Sequence, residues 1–277
     1  MLVTMKELLI DAAENNRAVG AFSVGNMEMV IGAVKAAEDM NTPIILQIAE
    51  KRLQNSPFEL MAPMMVSAAK NSKVKIAVHL DHGLTLGCIK DALFYGFTSV
   101  MLDCSLKPLK ENIATTKEVV ALAREYGATV EAELGIVGGN EGDAEEHIIT
   151  CTDPAVAERF CKETEIDALA VAIGNAHGNY PVLPELRFDV LEKIYNITDI
   201  PLVLHGGTGI TDEMFKKAIS LGIRKINIAT ASFDALALSA KKYLSEGSDY
   251  FTLSEKMADG VYNNVAKHIN IFNNKEN

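Results

Sequence analysis

The chain has 277 residues, 48% of them apolar, which is enough for one large hydrophobic core or two modest ones. Its 26 basic and 37 acidic side chains give a net charge of −11, which disfavours nucleic acid and anionic membranes as partners. No apolar stretch is long enough to span a bilayer, and the first residues lack the pattern of an export signal. Four cysteines without a CxxC pair fit a reducing compartment, so we expect a cytoplasmic protein.

Helical and strand patterns alternate along the chain. Thr4 and Glu7 have the spacing of a capping box, which predicts a helix start before the first apolar run. Eight short apolar runs are predicted to be strands, with helical periodicity in the segments between them. The runs are Ala18 to Val24, Pro43 to Ile48, Ile76 to Leu80, Ser99 to Leu102, Thr129 to Leu134, Ala168 to Ile173, Pro201 to Leu204 and Lys225 to Ile228.

Eight strand–helix units in about 250 residues predict an α/β fold, the (β/α)8 TIM barrel, because a doubly wound sheet normally uses fewer strands. We expect one catalytic domain over residues 1–277. The N-terminal helix is predicted to close the bottom of the barrel, and residues 253–272 to form a helical tail beyond the eighth unit.

Three histidines lie just past the ends of predicted strands: His82, His177 and His205. In a TIM barrel the carboxyl ends of the strands meet on one face, which carries the active site. Three imidazoles on that face are enough for a zinc site with one position open to substrate. Each histidine alone is more typical of a hydrogen-bonded loop residue, but the convergence of all three favours a metal site. His79 is assigned to the core or to the surroundings of the site.

Carboxylates accompany these histidines. Asp81 precedes His82, Asp103 ends the fourth run, and Glu131 and Glu133 lie within the fifth. A carboxylate in an apolar strand needs a partner, so these groups are expected to bind a second metal position, orient the ligands or make structural hydrogen bonds. The glycine-rich segment 135–147 that follows is either a surface loop or a lid with an acid–base residue.

An anion site is expected after the last two strands. The segments HGGTG at 205–209 and NIATAS at 227–232 place backbone N–H groups at predicted helix starts. Barrels often bind phosphate with the loops after strands 7 and 8. Such donors explain how a protein with a charge of −11 could hold a phosphorylated substrate.

Six motifs in order along the chain resemble those of class II, metal-dependent ketose-bisphosphate aldolases, the family with fructose- and tagatose-1,6-bisphosphate aldolases. They are HLDHG, VEAELG, GGNEGD, AVAIGNAHGNY, LVLHGGTGI and KINIAT. The resemblance runs nearly end to end. It implies a lyase that reversibly cleaves a phosphorylated ketose to dihydroxyacetone phosphate and an aldehyde through a zinc-stabilised enediolate.

The resemblance also implies roles for single residues. His82, His177 and His205 would bind zinc, with Asp103 and Glu133 as alternative metal ligands. Asp81 would be the acid–base residue near the aldehyde oxygen, and Glu141 would move the proton of the dihydroxyacetone-phosphate half. The phosphorylated half would be held by Gly178, Gly206, Gly207, Thr208, Asn227, Ile228, Ala229 and Thr230. A monovalent cation near the phosphate and a homodimer or homotetramer are further expectations.

The residues themselves favour a metal over a Schiff-base lysine as the electron sink, because Lys75 and Lys225 lie at the starts of predicted strands. The resemblance is weaker on the aldehyde side, where Ala49 replaces a serine-and-glycine segment, the segment after the fourth run lacks a common histidine, and Ala231 replaces a frequent acid. An aldolase for another phosphorylated sugar or sugar acid, of the inositol-catabolic type, is therefore the close alternative. A barrel metallohydrolase and a non-catalytic sugar-phosphate binder stay open.

Overall fold

Eight parallel strands close into a barrel in chain order, so the predicted TIM barrel is confirmed. The computed structural model describes residues 1–139, 150–180 and 183–273. The strands are β1 (Val19–Ser23), β2 (Ile44–Ala49), β3 (Ile76–Gly83), β4 (Ser99–Leu102), β5 (Thr129–Leu134), β6 (Ala168–Val171), β7 (Leu202–Leu204) and β8 (Ile223–Ile228). Every predicted apolar run overlaps one of them, with ends that differ by up to three residues.

Ten α-helices surround and close the barrel over the described residues. They are α1 (Met5–Glu14), α2 (Met27–Asp39), α3 (Phe58–Asn71), α4 (Leu86–Phe94), α5 (Leu109–Glu125), α6 (Pro154–Thr164), α7 (Phe188–Tyr195), α8 (Asp212–Ser220), α9 (Thr230–Ser245) and α10 (Tyr250–Phe272). Several begin at a side chain that accepts a hydrogen bond from a free backbone N–H group of the first turn. These caps are Thr4, Asn26, Thr85, Asp153, Thr211 and Asp249.

Helix α1 closes the bottom of the barrel, as the sequence predicts. Its buried face, Met5, Leu8, Leu9 and Ala12, packs against inward-facing residues of five strands in one apolar cluster. The strand residues are Val19, Ala21, Ile45, Ala77, Ala168, Ala170 and Val203. The lower half of the barrel interior is therefore filled by apolar side chains, and the open end lies at the carboxyl ends of the strands.

Helix α10 is the predicted tail, and it packs against α2 and α9. The contact with α2 requires a glycine, because a Cβ atom at Gly32 would lie 2.4 Å from the Ala258 carbonyl oxygen. Through this contact and its own buried residues, α10 covers the side of the barrel at β1 and also packs against α8. In the ranges that the structure covers, no helix combines the length and the apolar character needed to cross a membrane.

Candidate metal centre and active site

A bulge near the end of β3 brings two adjacent residues to the site. The pairing of β3 with β4 shifts between Leu80 and Gly83, where three steps along β3 face two steps along β4. His82 lies within this bulge at a φ of 40°, a conformation that is uncommon for residues other than glycine. Strand β3 thus extends beyond the predicted end at Leu80, and His82 lies in the strand instead of after it. The extra residue lets both Asp81 and His82 lie buried at the mouth of the barrel.

The three predicted histidines converge. One ring nitrogen from each of His82, His177 and His205 lies within 4.8 Å of the others, and all three rings are buried. The Nε2 atoms of His82 and His177 are 3.1 Å apart. Two nitrogens bound to one tetrahedral zinc ion would be about 3.3 Å apart, given a Zn–N distance of about 2.05 Å. Two of the three rings therefore already have nearly the spacing that a zinc ion requires.

The opposite nitrogens of two rings are held by carboxylates. His82 Nδ1 lies 2.8 Å from Asp103 Oδ2, and His205 Nε2 lies 2.8 Å from Glu131 Oε1. This leaves His82 Nε2 and His205 Nδ1 directed to the metal, the carboxylate–histidine arrangement common around zinc. Asp103 thus orients a ligand, and its predicted role as an alternative metal ligand stays a prediction.

Glu133 lies on the metal-facing side of His205. Its Oε2 atom is 3.2 Å from His205 Nδ1, and both atoms are buried without a hydrogen-bond partner. Two facing acceptor atoms in a buried site are costly unless a proton or a cation lies between them. This pair fits a metal ion, so Glu133 is compatible with the predicted role of an alternative ligand.

Charge is distributed unevenly among the histidines in the absence of a metal ion. Burial disfavours the charged form of His82, but Asp81 and Asp103 more than offset burial and raise its pKa to about 10. Burial also disfavours the charged form of His205, but Glu131 and Glu133 outweigh burial and raise the pKa of His205 to about 9. Burial and its cationic neighbours lower the pKa of His177 well below the usual value. A metal ion would displace the two protons and take over their role of neutralising the carboxylates.

Asp81 is completely buried and held by two side-chain amides. Gln47 Nε2 donates to its Oδ2 atom at 3.0 Å, and Asn227 Nδ2 donates to its Oδ1 atom at 3.0 Å. Burial opposes ionisation, but His82 and then Lys225 outweigh it and lower the pKa of Asp81. The group is therefore an oriented carboxylate, suited to accept a proton. Sequence reasoning missed Gln47, whose only signal was a polar residue inside an apolar strand.

Lys225 lies deep in the barrel. Because β8 begins at Ile223, this residue is the third of the strand, and the prediction that it lies at the strand start is wrong by two residues. Its Nζ atom is 2.9 Å from Glu131 Oε2, and both side chains are fully buried. Lys225 therefore neutralises Glu131, the carboxylate that orients His205.

His79 is also buried, and its Nδ1 atom lies 2.7 Å from Ser99 Oγ.

The loops after β6, β7 and β8 form a small cradle beside the metal centre. It is lined by His177, Gly178, Gly206, Thr208, Asn227, Ala229 and Thr230. Gly206 has a φ of 65°, and a Cβ atom there would lie 2.1 Å from the Ala176 carbonyl oxygen. Helix α9 begins in this cradle at Thr230, and its N-cap residue Ala229 provides no side-chain cap, so the first N–H group of the helix is suited to an anion. The structure therefore brings six of the eight predicted substrate residues together with a metal ligand.

The two other predicted substrate residues lie beside the cradle. A Cβ atom at Gly207 would lie 2.8 Å from the Asn227 carbonyl oxygen, so β7 and β8 approach closely there. The side chain of Ile228 belongs to the apolar core, which leaves its backbone as the part available to a ligand.

Tyr180, which sequence reasoning missed, fixes the position of the cradle. Its hydroxyl donates to the Gly206 carbonyl oxygen at 2.9 Å and accepts from Ala176 N at 2.8 Å. Glu141, the predicted proton-transfer residue, lies outside the described residues. The segment before it is held against the metal centre, since His177 N donates to the Gly138 carbonyl oxygen at 2.8 Å.

The barrel, the histidine cluster and the cradle together define a barrel enzyme with a buried metal centre beside an anion site. The profile of the family described as fructose-bisphosphate aldolase, class II, matches residues 3–277. The chain belongs to this family and is a class II aldolase, a carbon–carbon lyase.

Individual relatives agree with this membership. A fructose-bisphosphate aldolase of Staphylococcus aureus (strain Mu50) is 42% identical over 253 residues, which cover 90% of this chain and 88% of the relative. A fructose-bisphosphate aldolase of Geobacillus stearothermophilus is 41% identical over 259 residues, with the same coverage of each chain. The crystal structure of the YdjI aldolase from Escherichia coli K12 superposes with a TM-score of 0.89 at 36% identity and covers 98% of this chain and 97% of that one.

Proposed function

We propose that this enzyme reversibly cleaves a phosphorylated ketose, of the fructose- or tagatose-1,6-bisphosphate type, to dihydroxyacetone phosphate and an aldehyde, with zinc as its metal. The observation that carries the proposal is the position of Asp81. Its buried carboxylate adjoins the histidine cluster and bonds Asn227, which also lines the cradle. A metal ligand set, an oriented carboxylate and an anion cradle thus meet in one site.

Zinc held by His82, His177 and His205 would supply a Lewis acid that stabilises the negative charge of the enediolate. Asp81 accepts the proton of the substrate's C4 hydroxyl while the C3–C4 bond breaks and its electron pair stays with the ketose half. Gln47 and Asn227 hold Asp81 for this transfer through their two hydrogen bonds. Glu141 is proposed to return a proton to C3, which completes dihydroxyacetone phosphate.

The cradle is proposed to hold the phosphate of the ketose half. The backbone N–H groups of Thr230, at the start of α9, and of Gly206 would replace water around the phosphate oxygens. Thr208 accepts a hydrogen bond from Ala231 N at 3.0 Å, which fixes the first turn of α9 against the loop after β7. A monovalent cation beside this phosphate and assembly into a homodimer or homotetramer stay predictions.

Asp81→Asn tests the proposed base. The substitution preserves size and some hydrogen bonding but removes the proton acceptor, so kcat for cleavage should fall by about 100-fold or more. Zinc content, measured by elemental analysis, should match that of the unaltered enzyme. Near-normal turnover with full zinc content would assign the base to another residue.

The reaction itself is tested by incubating dihydroxyacetone phosphate with a panel of aldehydes and determining the stereochemistry of each product. Proton exchange at the dihydroxyacetone-phosphate carbon, followed by NMR without any aldehyde, reports the enediolate half alone. We expect both exchange and condensation. Hydrolysis of a phosphorylated sugar without dihydroxyacetone phosphate would instead indicate a metallohydrolase.

A further inference from the structure

The loop after β6 and the end of β7 each carry a metal ligand. The last paired residues of these two strands are Ala170 and Val203. His177 and His205 both lie beyond this pairing along the chain. Because the backbone ladder between the strands ends before either ligand, the relative position of the two histidines depends on contacts between the segments that follow it.

Asn175 makes such a contact with both ends of its amide group. Its Nδ2 atom donates to the His205 carbonyl oxygen at 3.0 Å, and its Oδ1 atom accepts from Ile173 N at 2.8 Å. The residue has no exposed surface. A buried amide bonded at both ends is held in one orientation, because breaking either bond would leave a buried polar group unpaired. Asn175 therefore joins the loop that carries His177 to the backbone of His205.

The loop itself is fixed independently of β7. Gly174 has a φ of 96°, and a Cβ atom there would lie 2.6 Å from the Glu185 carbonyl oxygen, so this turn requires glycine. Arg187 N donates to the Ile173 carbonyl oxygen at 2.7 Å. The hydrogen bond from this anchored loop to His205 therefore fixes the position of that residue.

The two histidines that this bond connects form the widest pair of the cluster. The ring centres of His177 and His205 are 5.8 Å apart, against 4.8 Å for His82 and His177 and 4.7 Å for His82 and His205. Zinc accepts a narrow range of ligand spacings, because its bonds to nitrogen are about 2.0–2.1 Å long. The separation of His177 and His205 therefore has a direct effect on the affinity for zinc.

A second side chain of the same loop makes the neighbouring link. Tyr180 Oη donates to the Gly206 carbonyl oxygen at 2.9 Å. The consecutive carbonyl oxygens of His205 and Gly206 are thus each held by a different side chain. The first belongs to a metal ligand, whereas the second belongs to a residue that lines the cradle. The two links can therefore be compared for their effects on metal and on phosphate.

We propose that Asn175 is a positioning residue of the metal centre. By holding the backbone of His205 against the loop that carries His177, it sets the spacing of these two ligands and thereby the affinity for zinc. This inference rests on the zinc site of the proposed function. Asn175 acts on the metal through His205, so its loss should change metal binding more than substrate binding.

Asn175→Ala removes the link. The dissociation constant for zinc, measured by competition with a chromogenic chelator, should rise about 10-fold, as for other residues that orient metal ligands. In the cobalt-loaded protein, the visible absorption bands report coordination geometry and should shift. Unchanged zinc affinity together with an unchanged cobalt spectrum would overturn the proposal.

Asn175→Gln is the conservative variant. It keeps the amide but displaces it by one methylene group, so the dissociation constant for zinc should lie between those of the unaltered protein and Asn175→Ala. If Asn175→Ala does not fold, Asn175→Gln carries the test with the same two measurements. Zinc affinity and a cobalt spectrum equal to those of the unaltered protein would then refute the role of Asn175.

Two further variants separate positioning from a loss of stability. Thr164→Val removes a buried hydrogen bond, from Thr164 Oγ1 to the Phe160 carbonyl oxygen at 2.7 Å, at the end of α6 that precedes β6. It should leave zinc affinity and the cobalt spectrum unchanged. Tyr180→Phe should raise the KM for dihydroxyacetone phosphate about fivefold, the effect of one hydrogen bond, with zinc affinity unchanged. Equal losses of zinc affinity in Tyr180→Phe and Asn175→Ala would mean that both bonds merely support the loop, and would refute the assignment.

Metal binding by the unaltered protein separates the two levels of inference. If the unaltered protein binds neither zinc nor cobalt, the proposed metal site fails, and this inference fails with it. If it binds both metals and Asn175→Ala binds them equally well, the role of Asn175 alone is refuted.

Discussion

The lower and upper halves of the barrel interior are built from the same strands but have opposite chemistry. The lower half is the apolar cluster that α1 closes, with Leu9 as one of its fully buried residues. The upper half contains Asp81, Glu131, Lys225 and His205, each with no exposed surface. The interior changes from apolar to ionisable between one inward-facing residue of a strand and the next, and successive inward-facing residues are two positions apart.

Strand β3 shows the change most clearly. Ala77 belongs to the apolar cluster, His79 bonds Ser99, and Asp81 reaches the mouth of the barrel. Apolar burial in the lower half stabilises the fold in proportion to the area removed from water. Ionisable groups in the upper half lose hydration, and their cost is offset only by pairing with one another or with a metal. The functional residues therefore lie in the upper half, where stability depends on the pairing of buried charges.

Removal of the metal should have the largest effect. A chelator should abolish activity to the detection limit, and zinc or cobalt should restore it, because the proposed electron sink is the metal.

His205→Ala should lower zinc occupancy while circular dichroism still reports a folded barrel. Borohydride added with substrate should leave no covalent adduct. A chelator-resistant enzyme that borohydride traps on a lysine would contradict the metal mechanism.

Breaking one ion pair in the upper half should cost at least as much stability as truncating a core side chain. Lys225→Met leaves the fully buried Glu131 carboxylate without its cation, and we expect the free energy of unfolding to fall by about 4 kcal/mol. Adding Glu131→Gln should recover part of this loss. Denaturant titration of the metal-free proteins measures both values. Equal stability of Lys225→Met and the unaltered protein would show that the pair contributes nothing.

The lower half should respond differently. Leu9→Ala removes apolar contacts at the bottom of the barrel and changes no residue of the site. The free energy of unfolding should therefore fall by about 3 kcal/mol. Zinc content and kcat of the folded enzyme should stay unchanged at low temperature. A large fall in kcat with full zinc content would show that the two halves are coupled.

The alternation of apolar runs and helical segments was enough to predict the barrel, because each strand carries its own apolar signal. The histidine cluster was predictable because three strand ends share one face. The bulge at His82 was not, since a shift in pairing between β3 and β4 depends on both strands together. Gln47 and Tyr180 act through contacts with residues far away in the chain, for which local spacing carries no signal. The same holds for the pairing of Lys225 with Glu131.

The smallest effect is expected at a buried histidine that, within the described residues, has no hydrogen bond to a carboxylate. His268 of α10 packs against the rings of Phe22, Phe215 and Phe272, and its Nδ1 lies 2.8 Å from the Asn264 carbonyl oxygen. Burial lowers its pKa to about 4, whereas carboxylates raise that of His205 to about 9. Between about pH 6.5 and 4 the unfolded chain binds a proton at His268 that the folded protein does not, so the stability contributed by neutral His268 is lost as pH falls through this window.

At pH 5 this loss should reach about 2 kcal/mol relative to neutral pH, at about 1.4 kcal/mol per pH unit below 6.5. His268→Phe keeps the aromatic cluster but removes the titratable group, so the decrease in unfolding free energy from pH 7 to pH 5 should be smaller by that amount. Phe215→Leu is the control, because it loosens the same cluster without altering titration and should keep the acid sensitivity of the unaltered protein. Denaturant titrations at both pH values measure this decrease. An equal decrease in unfolding free energy for His268→Phe and the unaltered protein would refute the role of His268. Such a result would mean that the packing around α10 opens enough to hydrate a charged imidazole, unlike the barrel interior, where partners for charge are built in.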